Sequence, residues 1–424
     1  MRFNRWPQAF LSNCVPPLTQ PRSNSCASQA RSLAMEKPPY VCEIDAEPIH
    51  RYQIGGYHPV HLGDVMHEGR YRVIHKLGWG GWSTVWAARD LKTERYVALQ
   101  IAAADSVDET REMKILRSLQ TSLPASPHLI QMLDNFQCEG PNGRHNCLVL
   151  ELLGPSVANL VRDKCVGDRL PGRLAKRFAR SALEGLAALH QEGIAHGDIH
   201  IGNLALSLPM LEFVNEEEFM LKMGKTEVSK IQRRDGREKG IHVPEYIVRP
   251  TTFPIKISEY SGTIKLVDFG ESFRNDAPLS SLHTPLPVRA PEVIFGDDLT
   301  TSVDLWSAAC MIYELVVGQP PFDTFMQTKP TLVGEMIGMA SDKLPDRWQP
   351  LWQSMRTSAA HNDDDDISLE TWLEESYFDG QRPVDLTKNE IVQFCKIVRR
   401  LLLFEPSSRA SAAEIAQDPW FDAD

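Results

Sequence analysis

His196-Gly197-Asp198-Ile199-His200-Ile201-Gly202-Asn203 is the stretch on which the reading of this chain turns. It offers a carboxylate, Asp198, and five residues later a carboxamide, Asn203. Phosphoryl transfer uses such a pair: one group accepts the proton of an attacking hydroxyl, the other holds a metal on the phosphates. Further on, Val267-Asp268-Phe269-Gly270 reads as an apolar strand that ends in a second carboxylate before a turn. A carboxylate so placed is the other half of a Mg²⁺ site. An Asp-x-x-x-x-Asn alone is usually a surface loop, so the case rests on the order of the pieces and on what flanks them.

Upstream, Tyr71-Arg72-Val73-Ile74 alternates, and Leu77-Gly78-Trp79-Gly80-Gly81-Trp82-Ser83-Thr84-Val85-Trp86 follows. Two strands around a Gly-rich turn let backbone N–H groups close on phosphates, because Gly permits the φ values and the close approach. Here Ser83 stands in the third position of the Gly pattern. A third strand is expected over Tyr96-Val97-Ala98-Leu99-Gln100-Ile101. A helix follows, with Ser106-x-x-Glu109 as a capping box, Met113, Leu116 and Leu119 at helical spacing, and Glu112 one turn in. Two more strands end at Cys147-Leu148-Val149-Leu150, and Glu151-Leu152-Leu153-Gly154 reads as a break between two lobes.

The second half reads as mainly helical. Leu174, Phe178, Ala182, Leu186 and Leu189 mark one helix face, stopped by Gly193. Residues 204–262 shift to charged, then Pro-rich sequence and read as an insert, at least partly flexible. Ala290-Pro291-Glu292 and an apolar helix over 305–317 come later, and the acidic run 363–366 reads as a solvated loop.

The bulk numbers exclude several classes. With 42% hydrophobic and 24% charged residues, 424 residues suffice for two domains or one large two-lobed one. A net charge of −11 argues against direct nucleic-acid binding. It suits a basic substrate, and simple solubility explains it equally. Eight cysteines without a C-x-x-C pair point to a reducing compartment, cytoplasm or nucleus, and away from zinc or a disulfide framework. No run of 18 apolar residues exists, so no membrane span is expected. Residues 1–37 carry five basic residues and one acid. A mitochondrial presequence, a disordered extension and sequence upstream of a start at Met35 all fit that stretch.

With these pieces in place, the chain from about Tyr71 to Phe421 resembles the eukaryotic protein kinases. The matching pieces are the Gly-rich loop, Val97-Ala98-Leu99-Gln100, Glu112, His196-Gly197-Asp198 with Asn203, Asp268-Phe269-Gly270, Ala290-Pro291-Glu292, Asp304-x-Trp306-Ser307 and Arg409. Within them it is most similar to the SR-protein kinase family and its fungal relatives. The Leu77–Trp86 stretch, the Glu151-x-Leu153-Gly154 hinge and the insert carry that finer likeness.

The resemblance implies an α+β, two-lobed protein kinase fold with a small β-rich N-lobe at 71–153 and a larger, mainly helical C-lobe at 154–421. Residues 38–70 would be an extension packed on it. It implies a monomeric serine/threonine kinase using ATP and Mg²⁺, acting on Arg/Ser-rich protein substrates. Asp198 would orient and deprotonate the substrate hydroxyl, and Asn203 and Asp268 would hold Mg²⁺. ATP would be covered by Leu77, Gly78, Trp79, Gly80, Gly81, Ser83 and Val85, with Ala98, Gln100 and Glu112 beneath. Glu151 and Leu153 would offer backbone groups to adenine. Glu292 with Arg409 would anchor the activation segment, and Asp304 would brace the catalytic loop.

Three departures matter. Gln100 stands where kinases place the Lys that grips phosphate, and losing one cationic donor costs about 10²–10³ in rate by analogy with oxyanion-hole deletions. Lys76 is the nearest substitute, though a strand Lys ordinarily faces solvent. His200 replaces a Lys that touches the γ-phosphate, and Gly197 replaces the Arg that meets a phosphorylated activation loop. A pseudokinase scaffold therefore stays open as an alternative. So does a small-molecule phosphotransferase of the aminoglycoside or choline kinase type, which shares His-Gly-Asp-x-His but lacks the later motifs.

Overall fold

The structure, a computed structural model, describes residues 39–104, 110–123, 126–208, 214–251, 253–257, 260, 262–324, 326–356 and 368–422. The 1–37 tail, the Ser106/Glu109 box and the acidic run 363–366 lie outside the described residues. Two compact units divide the chain. One holds Met1–Glu109, Leu133–Leu152 and Leu211–Thr252; the other holds Thr110–Met132, Leu153–Met210 and Phe253–Asp424. The division differs from a single cut after residue 153: the helix carrying Glu112 groups with the second unit, and most of the insert with the first.

The first unit is built on a six-stranded antiparallel sheet. After the short strands β1 (Tyr40–Val41) and β2 (Val65–Met66) come β3 (Tyr71–Gly80), β4 (Ser83–Asp90) and β5 (Arg95–Ala102), then the hairpin β6 (Met132–Gly140) and β7 (Gly143–Glu151). The sheet order is β2-β3-β4-β5-β7-β6. Partners across an antiparallel ladder point to one face, and alternate residues to opposite faces. Trp86, Leu99 and Val149 are one such row; Val85, Gln100 and Leu148 are the next, on the other face. The Trp86 face is buried with Val60, Met66, Val73, Val97 and Val248, so it is the packed side of the sheet.

Two distant stretches pack on this sheet. The extension and the insert join directly, since β1 pairs antiparallel with Gln232–Arg233. Within the insert, Val228–Lys230 and Tyr246–Val248 form a second ladder. Tyr52 and Tyr57 of the extension bury with Ala103, Ile231, Val243 and Ile247. The helix Glu216–Met223 starts at Asn215, whose side chain accepts the Glu218 N–H. Its Phe219 stacks on Tyr96 at 3.9 Å between ring centroids, and Glu216 pairs with Arg72 at 2.5 Å. Within the insert, residues 214–251 carry side chains that pack on the sheet and the extension. They hold regular structure because their apolar side chains have a sheet edge and an extension to bury against.

The second unit is mainly helical. Its first helix is Arg111–Ser122, capped by Thr110, whose side chain accepts the Met113 N–H. Glu112 falls inside its first turn. The helix Gly172–Gln191 buries Leu174, Phe178, Ala182, Leu186 and Leu189, and Gly193 follows with φ +67°. The helix Ser302–Val317 is buried on nearly every side. Two short ladders matter for the chemistry: Leu204–Leu206 with Ile264–Leu266, and Ile194–Ala195 with Phe273–Arg274. Among the described residues no helix is long and apolar enough to cross a membrane.

Candidate active site

The first ladder explains how two distant motifs meet. Leu204 pairs with Leu266, so Asn203, one residue before, lies beside Val267, one residue after. The Val267 N–H donates to the Asn203 carbonyl at 3.0 Å. Asp198 to Asn203 and Asp268 to Gly270 are thereby fixed at the same end of one small sheet.

Within that cluster, the Asn203 Nδ2 donates to the Asp198 carbonyl at 2.9 Å and to its Oδ2 at 3.1 Å. The amide nitrogen is spent on Asp198, which leaves Asn203 Oδ1 as the atom it can offer elsewhere. Asp198 Oδ1 is buried with no hydrogen-bond partner among the described residues. A buried carboxylate oxygen left unpaired is costly unless a proton, a cation or a substrate hydroxyl meets it. Asp268 has φ +67°, a strained region for a non-Gly residue, and its Oδ1 accepts the Gly270 N–H at 3.2 Å. Its carboxyl is pushed up from the ordinary value by desolvation and then by the Asp198 charge. One side of Asp268 is open to solvent, so the neighbouring carboxylate is the cause with most weight. Two carboxylates and an amide oxygen form a hard oxygen donor set with surplus negative charge. Of these, the Asp268 carboxylate and the Asn203 amide oxygen are the donors that fit Mg²⁺, with the Asp198 charge beside them.

His200 accepts the Gly202 N–H at its Nδ1, 3.0 Å away, and turns Nε2 toward Asp198 Oδ2 at 3.5 Å. Burial alone would lower its pKa. The Asp198 hydrogen bond and charge, then Glu314 and Asp268, outweigh that and raise it. His200 thus holds its proton to higher pH than a free histidine.

The loop before Asp198 is held from behind. Asp304 accepts the His196 N–H at 2.7 Å and the Gly197 N–H at 2.8 Å. The His196 ring donates from Nε2 to the Val267 carbonyl at 3.1 Å. Ser272 donates to the His196 carbonyl at 2.9 Å, and Thr284 to the Gly197 carbonyl at 2.8 Å. Arg289 caps the same segment by donating to the Thr284 carbonyl at 2.8 Å. Arg409 forks onto Glu292 at 2.6 and 2.8 Å with both side chains fully buried.

In the first unit the Gly-rich stretch forms the ends of β3 and β4. A Cβ placed on Gly78 or Gly80 would meet nothing within 4 Å, so open room lies beside the loop. Val85 and Gln100 are ladder partners, and Ala98, two residues before Gln100, shares their face. Leu77, Trp79, Gly81 and Ser83 lie along the same loop, and Glu151 ends β7. Leu153 and Glu112 belong to the second unit.

The structure corrects one expectation here. Lys76 does not face solvent: it is completely buried, forms an ion pair with Glu47, and stands 4.9 Å from the Trp86 ring centre. Trp86 is its ladder partner, so Lys76 occupies the packed face and Gln100 the opposite one. It cannot replace the missing phosphate-gripping cation. Sequence reasoning also missed Glu314, an acid inside an otherwise apolar helix, which was the available signal. It missed Arg51 and Tyr57 too, for which no motif spoke.

The profile of the protein kinase domain family matches residues 71–215 and 255–421. The chain belongs to that family. A serine/threonine protein kinase of Aspergillus fumigatus is 30% identical over 399 residues, covering 90% of this chain and 91% of that one. The serine/threonine-protein kinase SRPK of Physarum polycephalum is 33% identical over 63% of this chain and 65% of its own. The human SRSF protein kinase 3 is 39% identical over a shorter span, 37% of this chain and 28% of that one. A crystal structure of a kinase domain matches in fold with a TM-score of 0.58 at 20% identity, covering 86% of this chain and 98% of the other. The two-lobed kinase fold and a serine/threonine kinase function of the SR-protein kinase type follow from these likenesses. The family uses ATP.

Proposed function

We propose that the chain transfers the γ-phosphoryl group of ATP to Ser or Thr hydroxyls in Arg/Ser-rich proteins, with Asp198 as the base and Asn203 and Asp268 as the Mg²⁺ ligands. The partnerless, buried Oδ1 of Asp198 carries this reading. A substrate hydroxyl donating to that oxygen satisfies it, and the carboxylate then takes the proton as the phosphoryl group is attacked. Asn203 holds Asp198 by its amide and keeps its own Oδ1 for the cation. When bound, Mg²⁺ neutralises charge that develops on the phosphate oxygens. His200, whose Nδ1 accepts the Gly202 N–H and so leaves Nε2 as its donor, donates to the transferring phosphate from the side of Asp198. Asp304 keeps the loop backbone from yielding while these groups act.

The basic-substrate half of the reading is supported by a second group of acids. Glu314 and Glu335 are raised to about 7 and Asp323 is also raised, each by burial first. Asp323 adds its charge to both glutamates, and Glu314 interacts with His200. Among the described residues no Lys or Arg pairs with any of the three. Arg side chains of a substrate would supply those counter-charges.

The test is phosphate incorporation into an Arg/Ser-rich peptide, with an acidic peptide and Asp198→Ala as controls. Incorporation only into the basic peptide, lost in Asp198→Ala, supports the reading. Equal turnover of the acidic peptide removes the substrate class, and no incorporation by the wild type leaves a nucleotide-binding scaffold.

A further inference from the structure

Two carbonyls at the tip of the Gly-rich loop accept hydrogen bonds from side chains of the N-terminal extension. Tyr57 donates its hydroxyl to the Gly80 carbonyl at 2.6 Å. Arg51 donates from its guanidinium to the Gly81 carbonyl at 2.5 Å. The same guanidinium covers the Trp82 ring at 5.1 Å and the Tyr57 ring at 5.2 Å. At the root of the loop, Glu47 pairs with the buried Lys76 and takes a hydrogen bond from Tyr52. The extension is anchored in turn: Asn142 donates from its side chain to the Tyr57 carbonyl at 2.6 Å and to the His242 carbonyl at 2.9 Å.

These contacts have an unusual target. Carbonyls of a tight turn are the groups left over when its N–H groups face an anion. Engaging Gly80 and Gly81 through their oxygens turns neither N–H away. It also removes conformations that the turn would otherwise sample, and that ordering is lost entropy for any ligand that must impose it. The demand for it is high in this chain, because Gln100 brings no charge to the phosphates and the loop N–H groups must hold them.

We infer that residues 47–57 are a built-in strap that pre-forms the phosphate-holding shape of the Gly-rich loop, with Arg51 and Tyr57 as positioning residues for nucleotide binding. The inference rests on the kinase reading of the site for its ligand, but not on turnover for its test.

The experiment uses the full chain as wild type, Tyr57→Phe, Arg51→Lys, Arg51→Ala and the Arg51→Ala/Tyr57→Phe pair. Tyr57→Phe deletes one hydroxyl and keeps the buried ring, so folding is preserved. Three quantities are read: Kd for Mg·ADP by calorimetry, KM for ATP against kcat, and acrylamide quenching of Trp82 by difference from a Trp82→Phe partner of each variant. Trp82 is 54% exposed under the Arg51 guanidinium. Each single variant is expected to raise Kd and KM for ATP about threefold, and the pair about tenfold, a change of roughly 1.4 kcal/mol. With saturating ATP, kcat stays within twofold of wild type, KM for peptide is unchanged, and Trp82 becomes more quenchable. Arg51→Lys restores part of both effects by returning the cation. An unchanged nucleotide Kd in the pair overturns the inference. So does a parallel loss of kcat, peptide affinity and thermal midpoint, which marks a merely structural contact. A wild type without turnover would refute the proposed function instead, and the calorimetric arm would still decide this one.

Discussion

Returning an Arg to position 197 is the perturbation on which the loop geometry gives its sharpest answer. By resemblance an Arg here meets a phosphorylated activation segment, so Gly197→Arg looks like the repair of a lost switch. The backbone argues otherwise. Gly197 has φ +81°, and a Cβ there would stand 2.5 Å from the Glu271 carbonyl oxygen and 3.2 Å from Leu282 Cδ2. An L residue in the left-handed region costs about 1–2 kcal/mol. The Cβ contact must open from 2.5 Å to at least 3.0 Å, and displaced backbone adds about 1–3 kcal/mol of strain. The loop cannot slide away, because Asp304 holds the Gly197 N–H and Thr284 its carbonyl. We expect Gly197→Ala and Gly197→Arg alike to lose about 2–5 kcal/mol and several degrees of thermal midpoint. Turnover should fall at least about tenfold as Asp198 shifts. Scanning calorimetry and steady-state kinetics on phosphatase-treated protein check this. The reasoning fails if Gly197→Arg melts with wild type and becomes dependent on phosphorylation of Ser280, Ser281 or Thr284.

Three further outcomes are expected. Gln100→Lys should raise kcat at least about tenfold, around 1.4 kcal/mol of transition-state stabilisation; a Lys variant no faster than a fast wild type would mean that another cation serves the phosphates. Arg409→Met leaves Glu292 buried without its partner and should destabilise by about 3–5 kcal/mol in denaturant titration, whereas a loss under 1 kcal/mol would show that the fork contributes little. Glu314 and Glu335 are raised from 4.5 to about 7. The folded chain then binds more protons than the unfolded one between those values, so their contribution to stability falls as pH rises through that window. Their charge appears over the same rise. KM for an Arg/Ser-rich peptide at fixed ionic strength should therefore drop several-fold from pH 6 to pH 8, and Glu314→Gln with Glu335→Gln should flatten that profile.

Most of the candidate site's layout was legible because it is written in short, ordered motifs with narrow demands. Asp198, Asn203 and Asp268 are hydrophilic residues at fixed offsets from apolar strands, and the ladder of Leu204 with Leu266 converts those offsets into proximity. The helix Gly172–Gln191 showed its buried face at the spacing of a helix packed on one side. Lys76 was misread for a physical reason. Alternation along one strand tells which residues share a face, but it does not tell what lies on that face. A second layer covers the Trp86 side here, so a Lys on it is buried and must carry a counter-ion, Glu47.

The same cause hid the packing of the insert. Its sequence is rich in charge and Pro, and its apolar residues follow neither a helical nor a strand period for long. A segment of that kind cannot bury enough apolar surface against itself to offset the entropy of ordering. Phe219, Ile231, Val243, Ile247 and Val248 are nevertheless all buried. They dock on surfaces supplied by others: Tyr96 of the sheet under Phe219, and Tyr52 and Tyr57 of the extension beside Ile231 and Ile247. The spacing of docking residues is set by the shape of the receiving surface, so it leaves no period in the docked segment. The extension has the same character, and each lacks a core until the other and the sheet are present. Residues 39–70 and 214–251 should therefore gain protection from hydrogen exchange together with the sheet, not before it.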